Sequence, residues 1–214
     1  MYQVDLHTLH QLWEQGQSAI RYAKEHYGQL AGRKHAYTLY SPHTYDIGVT
    51  IPSSFIPEKA RVIQTTTRRK DYLAYELDES YGVLRTITVL DHSNIDCIHH
   101  HFQLDGYCYA CPFHADPKIP YRDEVSVLKY EDGKPVYFAN VTRPLLFAQF
   151  YEYTSNGKMM VSTYRYWPNA EYTQYGYSVD RDAPMDSLNS PIARYCREEV
   201  PHIVDFKKWV EGVY

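Results

Sequence analysis

Apolar side chains recur every three or four positions along residues 6–30, which is the spacing of one face of an α-helix. We therefore predict a long amphipathic helix, with Asp5 as its cap and Gly32 just after its end. The same spacing permits a coiled coil, but the flanking positions carry no charge code that would select a partner helix. A helix packed on a sheet is favoured. The side chains expected to be buried against that sheet are Leu9, Trp13 and Ile20.

From residue 72 onward the pattern changes to segments that are rich in aromatic and β-branched residues and are separated by turn residues. Asp-Gly and Asn-Gly pairs between such segments indicate tight hairpins, because glycine tolerates the positive φ that these turns require. We predict four successive hairpins, and Pro135 in the third implies an edge strand or a longer loop. The turns are predicted at Asp78-Glu79-Ser80, Asp105-Gly106, Asp132-Gly133 and Asn156-Gly157.

The segments around these hairpins are less regular. Residues 37–57 are punctuated by prolines and are expected to form a loop with at most a short strand, whereas residues 60–67 have the pattern of a strand. Ser190-Pro191 predicts the start of a helix that runs through residue 199, and a last amphipathic helix is expected near the C-terminus. The predicted fold is therefore α+β and a single domain of residues 1–214. It is an antiparallel meander of successive β-hairpins, open or strongly curved as in a half-barrel, with the long N-terminal helix packed on it and short C-terminal helices.

The hairpin around Asp105-Gly106 carries three of the four cysteines and three of the eleven histidines. With a two-residue loop, one face is apolar and is expected to pack inward, because side chains alternate across a strand. The other face brings Cys97 opposite His114, with His99 beside them. Thiolate and imidazole are ligands for a zinc-like ion, which could hold a water in an open position. A loop of three or four residues would separate Cys97 from His114.

A structural interpretation competes with this metal site, because cysteine is commonly a buried small hydrophobe. The Cys-x-x-Cys pair of Cys108 and Cys111 is a weak signal as well. A strand places these two thiols on opposite faces, and no second such pair follows. The metal-site candidates therefore remain Cys97, His99 and His114.

Tyrosine is the unusual residue of the composition, with 23 in 214 residues. Half-buried sheet surface explains most of them, because tyrosine has an apolar body and a polar tip. The hairpin at Asn156-Gly157 is aromatic on both faces, so it is expected either to be covered on both sides or to present rings to a ligand. A two-residue loop would put four tyrosines on one face. The candidate ligand-binding residues are Tyr151, Tyr153, Tyr164 and Tyr166.

Charge and composition narrow the choice of function. A formal charge of −4 gives no electrostatic case for nucleic acid, and no apolar run reaches membrane-spanning length. The first residues lack the layout of a secretory signal, and the few cysteines favour a reducing cytoplasm. Common nucleophile, phosphate-loop and dinucleotide motifs are missing from the sequence.

Three functional hypotheses remain. The first is a soluble, non-catalytic binding or interaction protein that uses a tyrosine-rich sheet surface or cleft for a protein or small-molecule partner. The second is a metal-dependent enzyme with a zinc-like ion on the Cys97 face. The third is single-stranded nucleic-acid binding, with tyrosines stacking on bases and Arg68, Arg69 and Lys70 on phosphate, which the net charge disfavours.

Overall fold

A computed structural model describes residues 4–42, 71–90, 94–114, 123–168, 193–197 and 206–211. The predicted strand at 60–67, the basic triplet 68–70 and residues 169–192 lie outside these residues. The described helices and strands are α1 (Leu6–Glu25), α2 (Tyr27–Ala31), β1 (Tyr37–Pro42), β2 (Tyr72–Leu77), β3 (Val83–Leu90), β4 (Asn94–Leu104), β5 (Tyr107–Phe113), β6 (Glu124–Glu131), β7 (Lys134–Thr142), β8 (Leu146–Tyr153), β9 (Met159–Tyr166), β10 (Ala193–Arg197) and α3 (Phe206–Val210).

The predicted fold class is confirmed, because helices accompany strands that are sheet neighbours in the order of the chain. The residues group into two compact units, and each is described by itself. Unit 1 comprises Met1–Arg21, Asp105–Tyr107 and Asp123–Pro201, and unit 2 comprises Tyr22–Leu104, Cys108–Arg122 and His202–Tyr214. The assignment of one domain to the whole chain stays a prediction.

In unit 1, the first four turns of α1 pack on the antiparallel strands β6 to β9. The predicted cap is confirmed, since the Asp5 carboxylate accepts a hydrogen bond from the Thr8 amide at 2.7 Å. Leu9 and Ile20 are buried as expected. Trp13 is only half-buried, because its indole reaches the end of β7 and Nε1 donates to the Thr142 carbonyl at 3.0 Å.

In unit 2, the long helix breaks at His26 and resumes as α2, whereas the sequence predicted one helix to Leu30. The His26 ring folds back and stacks on Tyr22 with 4.1 Å between ring centroids. The last carbonyls of α2 are satisfied by arginines: Arg33 Nε donates to the Leu30 carbonyl, and Arg85 Nη1 donates to that of Ala31 at 2.6 Å. These bonds hold the helix end against β3.

The helix predicted from Ser190 to residue 199 is wrong over the described part. Ala193–Arg197 forms the strand β10, which pairs antiparallel with β9 so that Cys196 lies opposite Met160. The hydrogen bonds that β10 makes with the edge of β9 stabilise the strand more than the local sequence stabilises a helix. Tertiary pairing often overrides local propensity in this way. The last predicted helix is present as the short α3, and its Phe206 ring lies 5.7 Å from that of Tyr75 within unit 2.

The expectation that Pro135 lies in an edge strand or a longer loop is also wrong. β7 lies between β6 and β8, and its loop to β6 is the two-residue turn Asp132-Gly133, with φ of 50° and 73°. The register of β6 and β7 shifts between Lys129 and Tyr130, which places one extra residue on β7 just after the proline. A bulge interrupts the regular ladder, so an interior strand can accommodate a residue that lacks an N–H.

Candidate functional site

The β8–β9 hairpin has a register one residue away from the predicted one. Tyr151 lies opposite Val161, and the Thr154 amide donates to the Lys158 carbonyl at 2.9 Å, so the loop has three residues, Ser155 to Gly157. Gly157 has φ of +80°, as expected for the glycine that ends a three-residue loop. A shift of one residue moves every side chain of one strand to the other face.

The four candidate tyrosines are therefore not on one face. Tyr151 and Tyr153 share a face of the sheet with Gln149, whereas Tyr164 and Tyr166 lie on the face that α1 covers. The prediction that they form one surface is wrong, because it depended on a two-residue loop. Tyr164 is buried and meets Phe150 edge-on, with 5.6 Å between ring centroids.

Three of these tyrosine hydroxyls make hydrogen bonds within unit 1. Tyr151 donates to the Gln149 side-chain oxygen at 2.9 Å, and Tyr153 donates to the Pro135 carbonyl at 2.7 Å. Burial raises the pKa of Tyr153 to about 12. The Tyr166 oxygen lies 2.7 Å from Nδ1 of His10 on α1. These tyrosines hold the sheet and helix together, and Tyr151 is also one of the residues that line a cavity.

That cavity lies in unit 1 and has a volume of about 260 Å³. Its floor is a row of cross-strand neighbours on one face: Lys129 of β6, Tyr137 of β7 and Phe150 of β8. The bulge after Pro135 re-aims the start of β7, so that a side chain beside this row also reaches the cavity. The remaining lining residues are Thr8, Leu12, Tyr107, Glu131, Val136, Tyr151 and Glu152.

The aromatic rings of the cavity are inclined to one another. Tyr107 and Tyr137 meet at 89° with centroids 6.2 Å apart, and Tyr137 meets Phe150 at 42° and 5.1 Å. Tyr137 is buried, which fixes the central ring of the three. Edge-to-face contacts of this kind hold aromatic groups in defined orientations. The cavity wall is therefore formed by rings that are already in place.

Charged groups lie at the same cavity. Lys129 Nζ lies 5.5 Å from the centroid of the Tyr107 ring and 2.7 Å from Oε1 of Glu131. Glu152 adds a second carboxylate to the lining. This arrangement combines apolar ring surface with a small number of ionic groups, which is the usual composition of a small-molecule site.

This cavity was not predicted from the sequence, although one of the patterns that form it was recognised. The turn at Asp132-Gly133 was predicted and places β6 and β7 side by side. The bulge then changes which residue of β7 faces Lys129, and the position of α1 brings in Thr8 and Leu12. Neither the bulge nor the position of the helix could be read from periodicity.

The β4–β5 hairpin, which carries the clustered cysteines and histidines, has the predicted loop and the predicted buried face. Asp105 and Gly106 form the two-residue turn, with φ of 50° and 78°. Phe102 stacks on Tyr109 at 5.2 Å within unit 2, and both are buried. His100 is buried on the same face, edge-on to Phe113. This face is the core of unit 2, as its apolar character indicated.

On the opposite face, Cys97 Sγ lies 3.8 Å from Nδ1 of His99. Cys97 is buried and is not part of a disulfide, and burial lowers the pKa of His99 to about 4, so its imidazole is neutral at pH 7. Across the described residues, no three His, Cys, Asp or Glu side chains are arranged to hold a metal ion. The site of Cys97, His99 and His114 therefore stays a prediction without support from the geometry.

His101, the third histidine of β4, also contributes to the packing of unit 2. His101 is buried, and its Nε2 lies 2.9 Å from Oγ1 of Thr86 on β3. Burial, together with the neighbouring charge of Arg33, lowers the pKa of His101 well below its usual value. Arg33 Nη2 donates to the His101 carbonyl at 2.6 Å. These bonds tie β4 to β3 and to the chain after α2.

No helix in the described ranges is long and apolar enough to span a membrane. No protein-family model, no curated protein and no solved structure matches this chain.

Proposed function

We propose that this protein binds a small organic molecule in the aromatic cavity of unit 1. The observation that supports the proposal most directly is the convergence of four aromatic residues and an ion pair on one concave volume of about 260 Å³. Buried aromatic side chains usually fill a core completely, because protein interiors are close-packed. A cavity that aromatic and charged groups line together is instead typical of a binding site.

The volume limits the size of the ligand. Drug-sized ligands occupy pockets of roughly 300–1,000 Å³, and benzene fits a cavity of about 150 Å³. A volume of about 260 Å³ therefore suits a compound with one ring, or an aliphatic compound of similar size. The ligand class is thus a small amphipathic molecule with an apolar body.

The lining is held in place before a ligand arrives. The Tyr137 ring is buried, and Phe150 is supported from behind by the edge contact with Tyr164. A preformed wall favours affinity, because fewer rotamers have to be ordered when the ligand binds.

Ligand-observed NMR with one-ring probes tests the proposal. We expect benzyl alcohol, phenol or indole to bind the wild-type chain, and Thr8→Phe to abolish this binding by filling the cavity from α1. Thr8 lines the cavity and Gln11 of the same helix is exposed, so Gln11→Phe is the matched control and should bind as the wild type does.

Two results would contradict the proposal. One is the absence of binding for every probe, and the other is equal binding by Thr8→Phe and wild type. The second result would place the bound compound elsewhere on the protein. Circular dichroism of both variants establishes that each has folded before the binding data are compared.

A further inference from the structure

The cavity already holds one cation of the protein itself. Lys129 Nζ is 5.5 Å from the centroid of the Tyr107 ring and pairs with the Glu131 carboxylate at 2.7 Å. An ammonium within about 6 Å of a ring centroid is attracted by the negative face of the ring. The position of Lys129 shows where the cavity provides a favourable environment for positive charge.

The net charge of the residues that line the cavity also favours a positively charged ligand. The lining contains one lysine, Lys129, and two carboxylates, those of Glu131 and Glu152, so the formal charge of the lining residues is −1 (one positive and two negative groups). A second positive group would bring the lining to neutrality, whereas a ligand carboxylate would raise the negative charge to two. Complementary charge mainly determines which ligands are selected.

The rings add a geometric argument. Because Tyr107 and Tyr137 are almost perpendicular and Tyr137 is inclined to Phe150 by 42°, ring faces and edges meet the cavity from several directions. A compact cation such as a substituted ammonium can contact more than one ring face at once. Aromatic groups arranged around a small volume recognise quaternary ammonium ligands in this way.

We propose that the cavity selects ligands that carry an ammonium group on a small apolar body. This inference rests on the proposed function, since it specifies the chemistry of the ligand in the same cavity. The ammonium lies against the rings of Tyr107 and Tyr137 with Glu131 and Glu152 as counter-charges, and Lys129 is the internal cation that it displaces or shares the site with.

The test compares two probes that have the same shape and differ in charge, choline and 3,3-dimethylbutan-1-ol. Their affinities for the full chain are measured by ligand-observed NMR titration at fixed low salt. We expect choline to bind roughly three- to thirty-fold more tightly, the range that a cation–π contact corresponds to. Tyr107→Leu should reduce this ratio towards one while the neutral probe still binds.

Changes at lysine provide the matched control. Lys129→Gln should strengthen choline binding, because it removes the competing internal cation. Lys134 forms a similar contact outside the cavity, with its Nζ 5.1 Å from the Tyr153 ring centroid, so Lys134→Gln removes the same net charge and should leave choline binding unchanged. An equal gain from both variants would overturn the inference, since only net charge would then matter.

The outcomes separate the two proposals. If the neutral alcohol or the one-ring probes bind in the cavity and choline binds no better than the alcohol, ammonium selectivity is wrong and the binding function stands. If no probe binds, both proposals are wrong. If choline binds better and Tyr107→Leu removes that preference, the ligand class is established.

Discussion

Gly16 of α1 lies so close to Val141 of β7 that a β-carbon at position 16 would be 2.6 Å from both methyl carbons of the valine. Two non-bonded carbon atoms essentially never lie this close, so one of them would have to move. The helix can therefore rest on the sheet at this point only because residue 16 has no side chain. This contact allows α1 to approach β7 closely.

Gly16→Ala should destabilise the protein by roughly 1–3 kcal/mol, because the added methyl group overpacks the interface between helix and sheet. The free energy of unfolding in urea measures the effect. Gly28→Ala is the control, since a β-carbon there meets nothing within 4 Å, and it should be neutral or stabilising. Val141→Ala should recover part of the loss in the double variant, and simple additivity of the two changes would contradict direct contact.

Gly157→Val should destabilise the β8–β9 hairpin by roughly 1–2 kcal/mol, because a β-branched residue strongly disfavours the left-handed backbone at φ of +80°. A β-carbon at this position meets nothing within 4 Å, so the loss would come from the backbone alone. Gly157→Asn should cost less, since asparagine tolerates this region. Equal unfolding free energies for the Val and Asn variants would argue against the left-handed turn.

Trp13 and Gln17 of α1 both donate to the Thr142 carbonyl, at 3.0 and 2.9 Å. Trp13→Phe should cost about 1–2 kcal/mol, less than the loss of a fully buried indole, because Trp13 is half-buried and Gln17 still satisfies the carbonyl. Trp13→Phe combined with Gln17→Met should cost more than the sum of the single changes. A double-mutant cycle by urea unfolding measures this, and an additive result would mean that the shared acceptor is unimportant.

Acid should weaken unit 2 well before its carboxylates are protonated. Burial lowers the pKa of His99 and of His100 to about 4, and Arg85 and Arg33 contribute to the shift at His100. Because an unfolded histidine has a pKa of about 6.5, the unfolded chain takes up protons first as the pH falls. The stabilisation is complete above pH 6.5 and is lost between 6.5 and about 4, by roughly 3 kcal/mol for His100. Urea unfolding at pH 7.5, 6 and 5 follows this loss.

His100→Leu isolates one part of that pH dependence. In the described part of the chain, the buried Nδ1 of His100 has no hydrogen-bond partner, whereas the ring makes one hydrogen bond with the Leu30 backbone, so an apolar side chain of similar size should cost only about 0.5–1.5 kcal/mol at pH 7.5. The variant should lose less stability than the wild type between pH 7.5 and 5. If the two proteins respond to acid equally, His100 is not one of the groups responsible.

Much of the fold could be predicted from local patterns. The Asp105-Gly106 and Asp132-Gly133 turns were placed correctly, because two consecutive residues with positive φ almost require such a pair. The spacing of apolar residues found α1, although not its break at His26, where φ of −103° and ψ of 14° depart from helical values. The strand β10 was missed, since its hydrogen bonds come from β9 and leave no mark on its own sequence.

The candidate site was harder to predict for a physical reason. Asn156-Gly157 fits the end of a three-residue loop as well as a two-residue turn, since both need a glycine with positive φ. Choosing the two-residue turn placed Tyr164 on the same face as Tyr151, whereas the three-residue loop puts them on opposite faces. The cavity depends in addition on the bulge near Lys129 and on the approach of α1 to the sheet, both of which are properties of packing.

The loop from Ser155 to Gly157 has an odd number of residues, and this parity has a consequence for how the protein can change. A substitution in the loop leaves the register of the two strands unchanged. The loss or gain of one residue would shift that register and move every side chain of β9 to the other face of the sheet. The face that carries Met159 and Val161 would then exchange places with the face that carries Ser162 and Tyr164. Insertions in this hairpin should be tolerated in steps of two, so natural or engineered length variants are expected to keep the same parity.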